Sequence, residues 1–261
     1  MSPLNAGSCF FGFTCAIVQD RDLAEAVRKR PSVSPLQPSV TRLQGPAWLT
    51  RMSPISPPAQ KLNEGLSAMR LELPADAQEK LLAYLDLLAK WNRAYNLTAV
   101  RDPADMVSRH LLDSLAVLPF VHGKNLADLG SGAGLPGIPL AVARPDILVT
   151  LVESNGKRAR FMREAARGLP LANVIVDQAR VQDTTGTFDT ITARAFASLP
   201  DMLAWGGHLL APGGRWLALK GHADPAEIGA IPDGFSVVAV HELRVPGTEG
   251  ERCAVELAGA C

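Results

Sequence analysis

Four glycines stand close together at positions 130, 132, 134 and 137, directly after a short apolar run. The run, residues 126–129, has the composition of a buried strand, and Pro136 falls where a helix would begin, a position at which its missing N–H costs little. A glycine-rich turn from strand to helix lets a ligand approach the backbone, and the helix would offer free N–H groups to an anion. The spacing predicts a ligand-binding turn, with a tight turn that binds nothing as the alternative.

Glu153 follows Gly134 by nineteen residues and ends the next apolar run. In nucleotide-binding folds an acid about 20 residues past the glycines hydrogen-bonds a ribose hydroxyl. Because the glycines and the acid share a strand–helix–strand pattern, they predict an adenosine-containing cofactor on a Rossmann-like sheet. Residues 132–137 match the dinucleotide fingerprint G-x-G-x-x-G only formally, since Asp128 two residues before Gly130 gives the different string DLGSGAG.

The elements that would position these residues follow from hydrophobic spacing. Apolar residues at three- and four-residue steps predict a helix from Asp76 to Tyr95, and Asp102-Pro103 starts another that runs to about residue 118. After the glycines, strands are predicted at 147–152, 173–176, 188–193 and 215–219, helices at 157–169 and 199–210, a turn at 211–214, and an antiparallel ribbon at 237–245 and 252–257. This order predicts an α/β fold: a mostly parallel twisted sheet with helices on both faces, a C-terminal hairpin and an N-terminal helical extension.

Charge and cysteine content narrow the class of protein. Residues 61–261 hold twenty Lys and Arg against twenty-three Asp and Glu, so any RNA contact must come from a local basic patch. One candidate is the outer face of the helix at 157–169, and a solvated surface is the alternative. The four cysteines lack zinc-site spacing, and no apolar run approaches the length of a membrane helix. We therefore expect a cytoplasmic protein with reduced thiols, no metal and no membrane partner.

Residues 1–60 differ from the remainder because they hold eight of the twenty prolines and many serines without a sustained period. They predict either a disordered extension or a mis-assigned translation start, for which Met52 is a natural alternative and Met69 a later one. A basic RNA-binding tail around residues 28–30 is a further alternative.

Five strings in order resemble one family: WNRAYNLTAVRDP, RHLLDSL, DLGSGAGLPGIPLA, RAFASLPDM and ALKGH. Together they are similar to the ribosomal RNA small-subunit methyltransferase G family, also called glucose-inhibited division protein B, over roughly residues 70–257. The resemblance implies a class I S-adenosylmethionine-dependent methyltransferase that modifies a guanine at N7 in 16S ribosomal RNA near the decoding site. The domain division that follows is an extension at 1–60, N-terminal helices at 61–122 and a cofactor-binding core at 123–261. The expected partner is 16S ribosomal RNA or the small subunit, and the expected state is a monomer.

The resemblance also implies site residues. Gly130 and Leu135 match loop positions that touch the cofactor, in the same loop as Gly132 and Gly134, and Val181-Gln182 match the pair beside its adenine. Position 182 is an acid in other family members and Gln here. Arg194 matches the arginine that ends the fourth strand and borders the site.

Guanine N7 has an in-plane lone pair and no proton, so its methylation needs no general base and relies on positioning and electrostatics. We expect Arg194 to organise cofactor and base, with a structural ion pair as its alternative. Lys220 and His222 are candidates for phosphate contact or solvated turn residues, and Phe196 for base stacking or core packing. His110, Asp113 and Ser114 lie within one helical turn, too close for a hydrolase relay.

Three other functions are compatible with parts of this sequence pattern. They are a nicotinamide-dependent oxidoreductase, a small-molecule methyltransferase and a non-catalytic RNA-binding module. The strings outside the cofactor site, at 109–115 and 194–201, favour the ribosomal RNA methyltransferase over all three.

Overall fold

The computed structural model describes residues 56–259, and a seven-stranded sheet forms its centre. The strands are β1 (Asn125–Leu129), β2 (Leu148–Val152), β3 (Val174–Asp177), β4 (Phe188–Arg194), β5 (Leu210–Lys220), β6 (Phe235–Glu242) and β7 (Cys253–Gly259). Their spatial order is β3-β2-β1-β4-β5-β7-β6. Strands β1 to β5 run parallel, whereas β7 is antiparallel to both of its neighbours, β5 and β6. The predicted α/β fold with an antiparallel C-terminal hairpin is confirmed.

Helices cover both faces of this sheet. They are α1 (Pro57–Ala68), α2 (Ala75–Tyr95), α3 (Pro103–Met106), α4 (Asp113–Leu115), α5 (Gly137–Ala143), α6 (Gly156–Gly168), α7 (Leu199–Gly206) and α8 (Pro225–Gly229). A π-helix, Val107–Leu112, joins α3 to α4. The Asp102 side chain accepts hydrogen bonds from the N–H groups of Ala104 and Asp105, at 2.7 and 3.2 Å, which explains why the chain enters α3 there.

The register of the parallel strands sets the position of the site. Leu129 of β1 lies opposite Val152 of β2 and Ala193 of β4. The residues that follow, Gly130, Glu153 and Arg194, therefore emerge at the same edge of the sheet. In open parallel sheets this carboxyl edge, where the strand order reverses, is where ligands bind.

The buried residues form two clusters, one against each face of the sheet. Helices α1 to α6 contribute to one of them and α7 to the other. The central strands bury apolar residues on both faces, among them Leu126, Leu129 and Ile191, as expected for a parallel sheet covered by helices on both sides.

Two predicted boundaries were wrong. The helix at 199–210 ends at Gly206 and is followed by a 3-10 turn, Gly207–Leu209. The predicted turn at 211–214 lies inside β5, where Phe188 pairs with Leu210 but Thr190 pairs with Arg215. The extra residues form a bulge in which Gly213 has φ +77°. A turn-like composition is accommodated here because the bulge leaves the ladder intact on both sides.

Helices α1 and α8 were not predicted, and the expected strand at 237–245 ends at Glu242. Helix α1 begins four residues before the predicted boundary at 61, while the rest of the predicted extension lies outside the described residues. Within residues 56–259, no helix is both long and apolar enough to cross a membrane.

Candidate active site

The glycine loop between β1 and α5 adopts backbone conformations that favour glycine. Gly130, Gly132 and Gly134 have φ values of +65°, +61° and +84°. A Cβ at Gly130 would collide with the Phe196 ring, and one at Gly134 would collide with the Ile138 side chain. These glycines therefore allow the loop to turn and to pack closely, which a larger residue would prevent.

Most N–H groups of the glycine loop and of the start of α5 already donate hydrogen bonds to acceptors within the protein. The Gly137 N–H donates to the Asp128 carboxylate at 3.0 Å, and the Ile138 N–H donates to the Gly134 carbonyl at 2.8 Å. The N–H groups of Gly134 and Leu135 both donate to the Ser131 carbonyl. The expectation that α5 offers free N–H groups to an anion was wrong, because Asp128 already supplies the negative charge at this helix end.

Asp128 is fully buried between β1 and α5. Burial raises the pKa of its carboxyl to about 6, against the lowering effect of hydrogen bonds from Gly137 and Thr192. The Thr192 hydroxyl donates to Asp128 Oδ1 at 3.1 Å. Asp128 thus ties β4 to the glycine loop and shapes the site without facing a ligand.

Glu153 joins β2 to the glycine loop. Its Oε2 accepts the Gly132 N–H at 3.0 Å, its Oε1 accepts the Asn155 N–H at 2.8 Å, and the Arg158 guanidinium lies 3.6 Å away. The residue is 6% exposed. Each carboxylate oxygen has a second lone pair, so this fixed carboxylate can also accept a ribose hydroxyl.

A cavity of about 400 Å³, called the first cavity, opens beside Glu153. Four predicted cofactor residues line it: Gly130, Glu153, Val181 and Gln182. The Phe196 and Trp205 rings, which pack edge to face with centroids 5.7 Å apart, form an apolar wall. A buried acid, a close backbone approach and an aromatic wall suit a sugar joined to a planar base.

The remaining predicted loop residues lie apart from this cavity. Leu135 is 4% exposed and packs in the core, so its side chain does not reach the first cavity. Gly132 acts through its N–H to Glu153, and Gly134 acts through close packing with Ile138.

Arg194 faces a second cavity, of about 390 Å³, on the other side of Ala195. Its Nη1 donates to Asp113 Oδ2 at 2.8 Å and to the Arg109 carbonyl at 3.2 Å. Ala195 lines both cavities and has φ +49°, a strained conformation for a residue with a Cβ. Arg194 therefore lines a different cavity from the other predicted site residues, although the next residue in the chain, Ala195, lines both.

The second cavity is rich in cations that are held by carboxylates. Asp113 also pairs with Arg252, whose Nε lies 3.4 Å from Asp113 Oδ1. Lys220 lies at the rim, with its Nζ donating to Glu227 at 2.8 Å and to the Ala197 carbonyl at 2.9 Å. The sequence pointed to Arg194 and Lys220, but it gave no signal that Arg252 would join them.

His110 lines the second cavity as a neutral side chain. Burial lowers the pKa of its imidazole to about 4, and the Arg194 charge adds to this shift. Its Nε2 lies 3.0 Å from the Thr98 hydroxyl, which in turn accepts the Val100 N–H at 3.2 Å. These bonds hold the segment after α2, of which Val100 lines the same cavity.

The other candidates differ in exposure. His222 is solvent-exposed and pairs with Glu251 at 3.1 Å, while Phe196 is half-buried against Gly130. Within the part of the chain that the structure describes, no group of three or more His, Cys, Asp or Glu side chains is arranged to hold a metal ion.

Comparisons with known proteins agree on one family. The family model for rRNA small subunit methyltransferase G matches residues 77–255. Ribosomal RNA small subunit methyltransferase G from Xanthomonas campestris pv. campestris (strain B100) is 57% identical over 193 residues, which cover 73% of this chain and 90% of that protein. The protein of that name from Stenotrophomonas maltophilia (strain K279a) is 54% identical over 203 residues, covering 77% and 95%.

A solved structure matches the fold. Magnesium protoporphyrin IX methyltransferase (ChlM) from Synechocystis PCC 6803 with bound SAM has a TM-score of 0.51 and 14% identity, and the match covers 68% of this chain and 97% of that one. At this identity the likeness concerns the fold alone.

Proposed function

Because the chain belongs to the ribosomal RNA small subunit methyltransferase G family, we propose that it transfers a methyl group from S-adenosyl-L-methionine to N7 of a guanine in 16S ribosomal RNA. The observation that carries this proposal is the family match over residues 77–255, which spans both cavities at the carboxyl edge of the sheet. When bound, the cofactor supplies an electrophilic methyl group on a sulfonium.

The first cavity fits the adenosine part of this cofactor. Glu153 would accept the ribose hydroxyls, because its carboxylate is fixed by two N–H groups and borders the cavity. Val181 and Gln182 would lie beside the adenine. Gln182 can donate to a ring nitrogen through its amide, which the acid expected at this position could do only when protonated. The rest of the cofactor would lie against the backbone of the glycine loop. Gly130 would touch it there, and Gly132, Gly134 and Leu135 would give the loop its shape.

The second cavity would receive the guanine. It opens at the ends of β4 and β5, and Ala195 lines both this cavity and the first cavity. A base inside a folded RNA can reach it only after leaving its stack. We assign to Arg194 the positioning of this base against the cofactor, because its guanidinium is anchored to Asp113 and has donors left for guanine acceptors.

The residues of the second cavity suit chemistry without a general base. N7 attacks with its own lone pair, so the chain must align it with the methyl group and accommodate charge passing to the base. His110 is neutral at physiological pH and supports the loop at Val100 through the Thr98 hydroxyl. Asp113 offsets part of the charge of two guanidiniums and pairs with both.

The proposal extends to the setting of the reaction. Its partner is 16S ribosomal RNA, free or in the small subunit, and its place is the cytoplasm, where that RNA is found. We propose a monomer, which sedimentation of the purified protein with and without RNA would check.

The test uses methyl-labelled S-adenosyl-L-methionine with 16S RNA and with small subunits from cells that lack their own enzyme. We expect label in RNA with the wild-type protein and a loss of at least about 100-fold in Arg194→Ala at saturating cofactor. Arg215→Ala is the matched control, because Arg215 also pairs with a buried acid, Glu256, but lines neither cavity. No label with the wild-type protein would contradict the function, whereas full activity in Arg194→Ala would remove only the role of Arg194.

A further inference from the structure

Helix α6 concentrates positive charge in a domain that is otherwise acidic. Between Gly156 and Gly168 it holds five Lys and Arg and one acid, Glu164. Outside this helix, residues 61–261 hold fifteen Lys and Arg against twenty-two Asp and Glu. The helix therefore carries a local excess of positive charge, whereas the rest of residues 61–261 carries an excess of negative charge.

The cations lie mostly on one side of the helix, which we call the α6 basic face: Lys157, Arg160, Arg163 and Arg167. Residues three and four apart share a helix face, and all four of these side chains are exposed. The opposite side carries Ala159, Phe161, Met162 and Ala165, which are buried against the sheet. The exposed side is therefore available to a partner along its whole length.

Most of this charge is not neutralised within the protein. Arg167 pairs with Glu164 at 2.6 Å, and Arg163 donates to the neutral amide of Gln178 at 3.1 Å. Within residues 56–259, no carboxylate lies at ion-pairing distance from Lys157, Arg160 or Arg163. Their placement costs helix stability, because like charges repel at these spacings and the first turn of α6 contains no acid to complement the helix dipole.

The start of α6 lies next to the first cavity. Glu153 and Ser154, which precede α6, and Arg158, in its first turn, line that cavity, whereas the four residues of the α6 basic face do not. On the side of α2, the Trp91 ring contacts Phe161 with centroids 5.6 Å apart, and the exposed Tyr95 ring packs on Trp91 at 5.2 Å.

We propose that the α6 basic face binds the phosphodiester backbone of the ribosomal RNA that flanks the target guanine. The proposal rests on the proposed function and adds the surface that holds the substrate. Phosphates would relieve the repulsion among Lys157, Arg160 and Arg163, and they would bind here without reading sequence. Specificity for one guanine would then remain with the fold of the RNA and with the second cavity.

The test compares Lys157→Gln/Arg160→Gln/Arg163→Gln with a control of equal charge change, Arg70→Gln/Lys80→Gln/Lys124→Gln. The control cations lie outside α6, with Lys80 and Lys124 paired to acids. Binding of 16S RNA would be measured at several salt concentrations. We expect the α6 variant to lose about tenfold or more in affinity and the slope of log K against log salt to fall by about 2, close to 0.7–0.9 per phosphate contact.

Three further measurements distinguish a loss of RNA binding from unfolding of the variant and from failure of the proposed function. The α6 variant should keep the cofactor Kd, keep kcat at saturating RNA, and melt no lower than the wild-type protein. Unchanged RNA affinity and salt slope, or an equal loss in the control variant, would overturn the proposal while wild-type methylation still upholds the function. Absence of methylation by the wild-type protein would overturn both.

Discussion

Asp113 pairs with two arginines that are distant in the sequence, Arg194 at the end of β4 and Arg252 just before β7. The Asp113 side chain is only 11% exposed, so the ion pairs are screened less than surface pairs. Arg194 was the residue for which an active-site role and a structural ion pair stood as alternatives. The structure shows the ion pair, and the active-site role stays a proposal that is compatible with it, because the paired guanidinium still lines a cavity.

Some of the site could be predicted from residue types and some could not. Gly130 and Glu153 were predicted from their spacing, because they follow neighbouring parallel strands and so lie close together. Val181 and Gln182 were predicted from the family resemblance. Arg252 had no such signal, since it reaches Asp113 only through the path of the loop between β6 and β7. The internal use of the α5 N–H groups was also missed, because it depends on where the Asp128 carboxylate points.

The carboxylate of Glu153 is predicted to determine cofactor affinity. Glu153→Ala removes the acceptor for the ribose and also frees the Gly132 N–H. A hydrogen bond to a charged group contributes about 1.5–3 kcal/mol, so the cofactor Kd should rise by about 10- to 150-fold. Calorimetric titration of S-adenosyl-L-methionine measures this, with the exposed Glu72→Ala as control. An unchanged Kd would show that the ribose is bound elsewhere.

His110 predicts a defined pH dependence of stability. Its pKa is lowered to about 4 in the folded protein, below the usual value near 6.5, so the unfolded chain binds the proton more readily between these values. The stability that neutral His110 contributes is fully present above about pH 6.5 and is lost as the pH falls towards 4.

His110→Gln should remove this dependence. Its stability relative to the wild-type protein, measured by urea unfolding, should improve by about 2 kcal/mol between pH 7.5 and pH 4.5. Asp128, whose pKa is raised to about 6, acts with the opposite sign and is common to both proteins, so it cancels in the comparison. A stability difference that stays constant with pH would contradict the burial argument for His110.

At the scale of elements, two glycines of the β1–α5 loop differ in what an alanine would cost. At one position the cost is backbone strain alone, and at the other a side-chain collision is added. An alanine at Gly132 meets nothing closer than 3.9 Å, so only its φ of +61° opposes the change. An alanine at Gly130 has the same strain and also displaces Phe196, which lines the first cavity. The two positions look equivalent in sequence and differ only through this tertiary contact.

We therefore expect Gly132→Ala to lower the free energy of unfolding by about 1–2 kcal/mol with little effect on the cofactor Kd. Gly130→Ala should lower stability further and weaken cofactor binding at least about tenfold, because the displaced ring must move into the first cavity or away from Trp205. Urea unfolding and calorimetric titration of both variants check this. Equal effects of the two substitutions on the Kd would contradict the role given to Phe196.

Other elements show where local patterns were insufficient. The segment Ala211-Pro212-Gly213-Gly214 has the composition of a turn, yet pairing with β4 on either side of it turns it into a bulge within β5. Helix α1 follows a proline- and serine-rich stretch that concealed its start, although Pro57 and Pro58 suit a first helical turn. Strongly periodic α2 and the strands flanked by glycines were predicted well because their signals are local.

At the scale of the whole molecule, α1 distinguishes the two alternative starts, Met52 and Met69, by what each would leave of the core. Leu62 and Leu66, 0% and 3% exposed, are buried in the core, and Gly65 packs on Leu112. A protein that starts at Met52 retains all of α1, whereas one that starts at Met69 lacks it. We propose that the extension before α1 is dispensable for the fold.

The protein that starts at Met52 should match the full chain in melting temperature and cofactor Kd. The protein that starts at Met69 should lose several kcal/mol of stability, since removing a buried leucine side chain alone costs about 2–5 kcal/mol. Thermal and urea unfolding of the three proteins measure this. Equal stability of the Met69 protein would contradict the placement of α1 in the core.

Charge at this scale explains why overall composition did not reveal an RNA-modifying enzyme. The chain has a formal net charge of +0; within residues 56–259 a local excess of Lys and Arg lies on α6, and carboxylates offset part of the positive charge in the second cavity. On the proposed function, contact with RNA would depend on which cations the fold brings together, and overall composition does not show this.

The most direct measurement maps the methyl group on the RNA. Ribosomal RNA methylated by the purified protein would be treated with a reagent that cleaves the strand selectively at 7-methylguanosine, and the fragments would be sequenced. The account predicts one new cleavage site, at a single guanine of 16S RNA, which is absent without S-adenosyl-L-methionine. Methyl label in the RNA without any cleavage would place the modification on another atom and contradict the central claim.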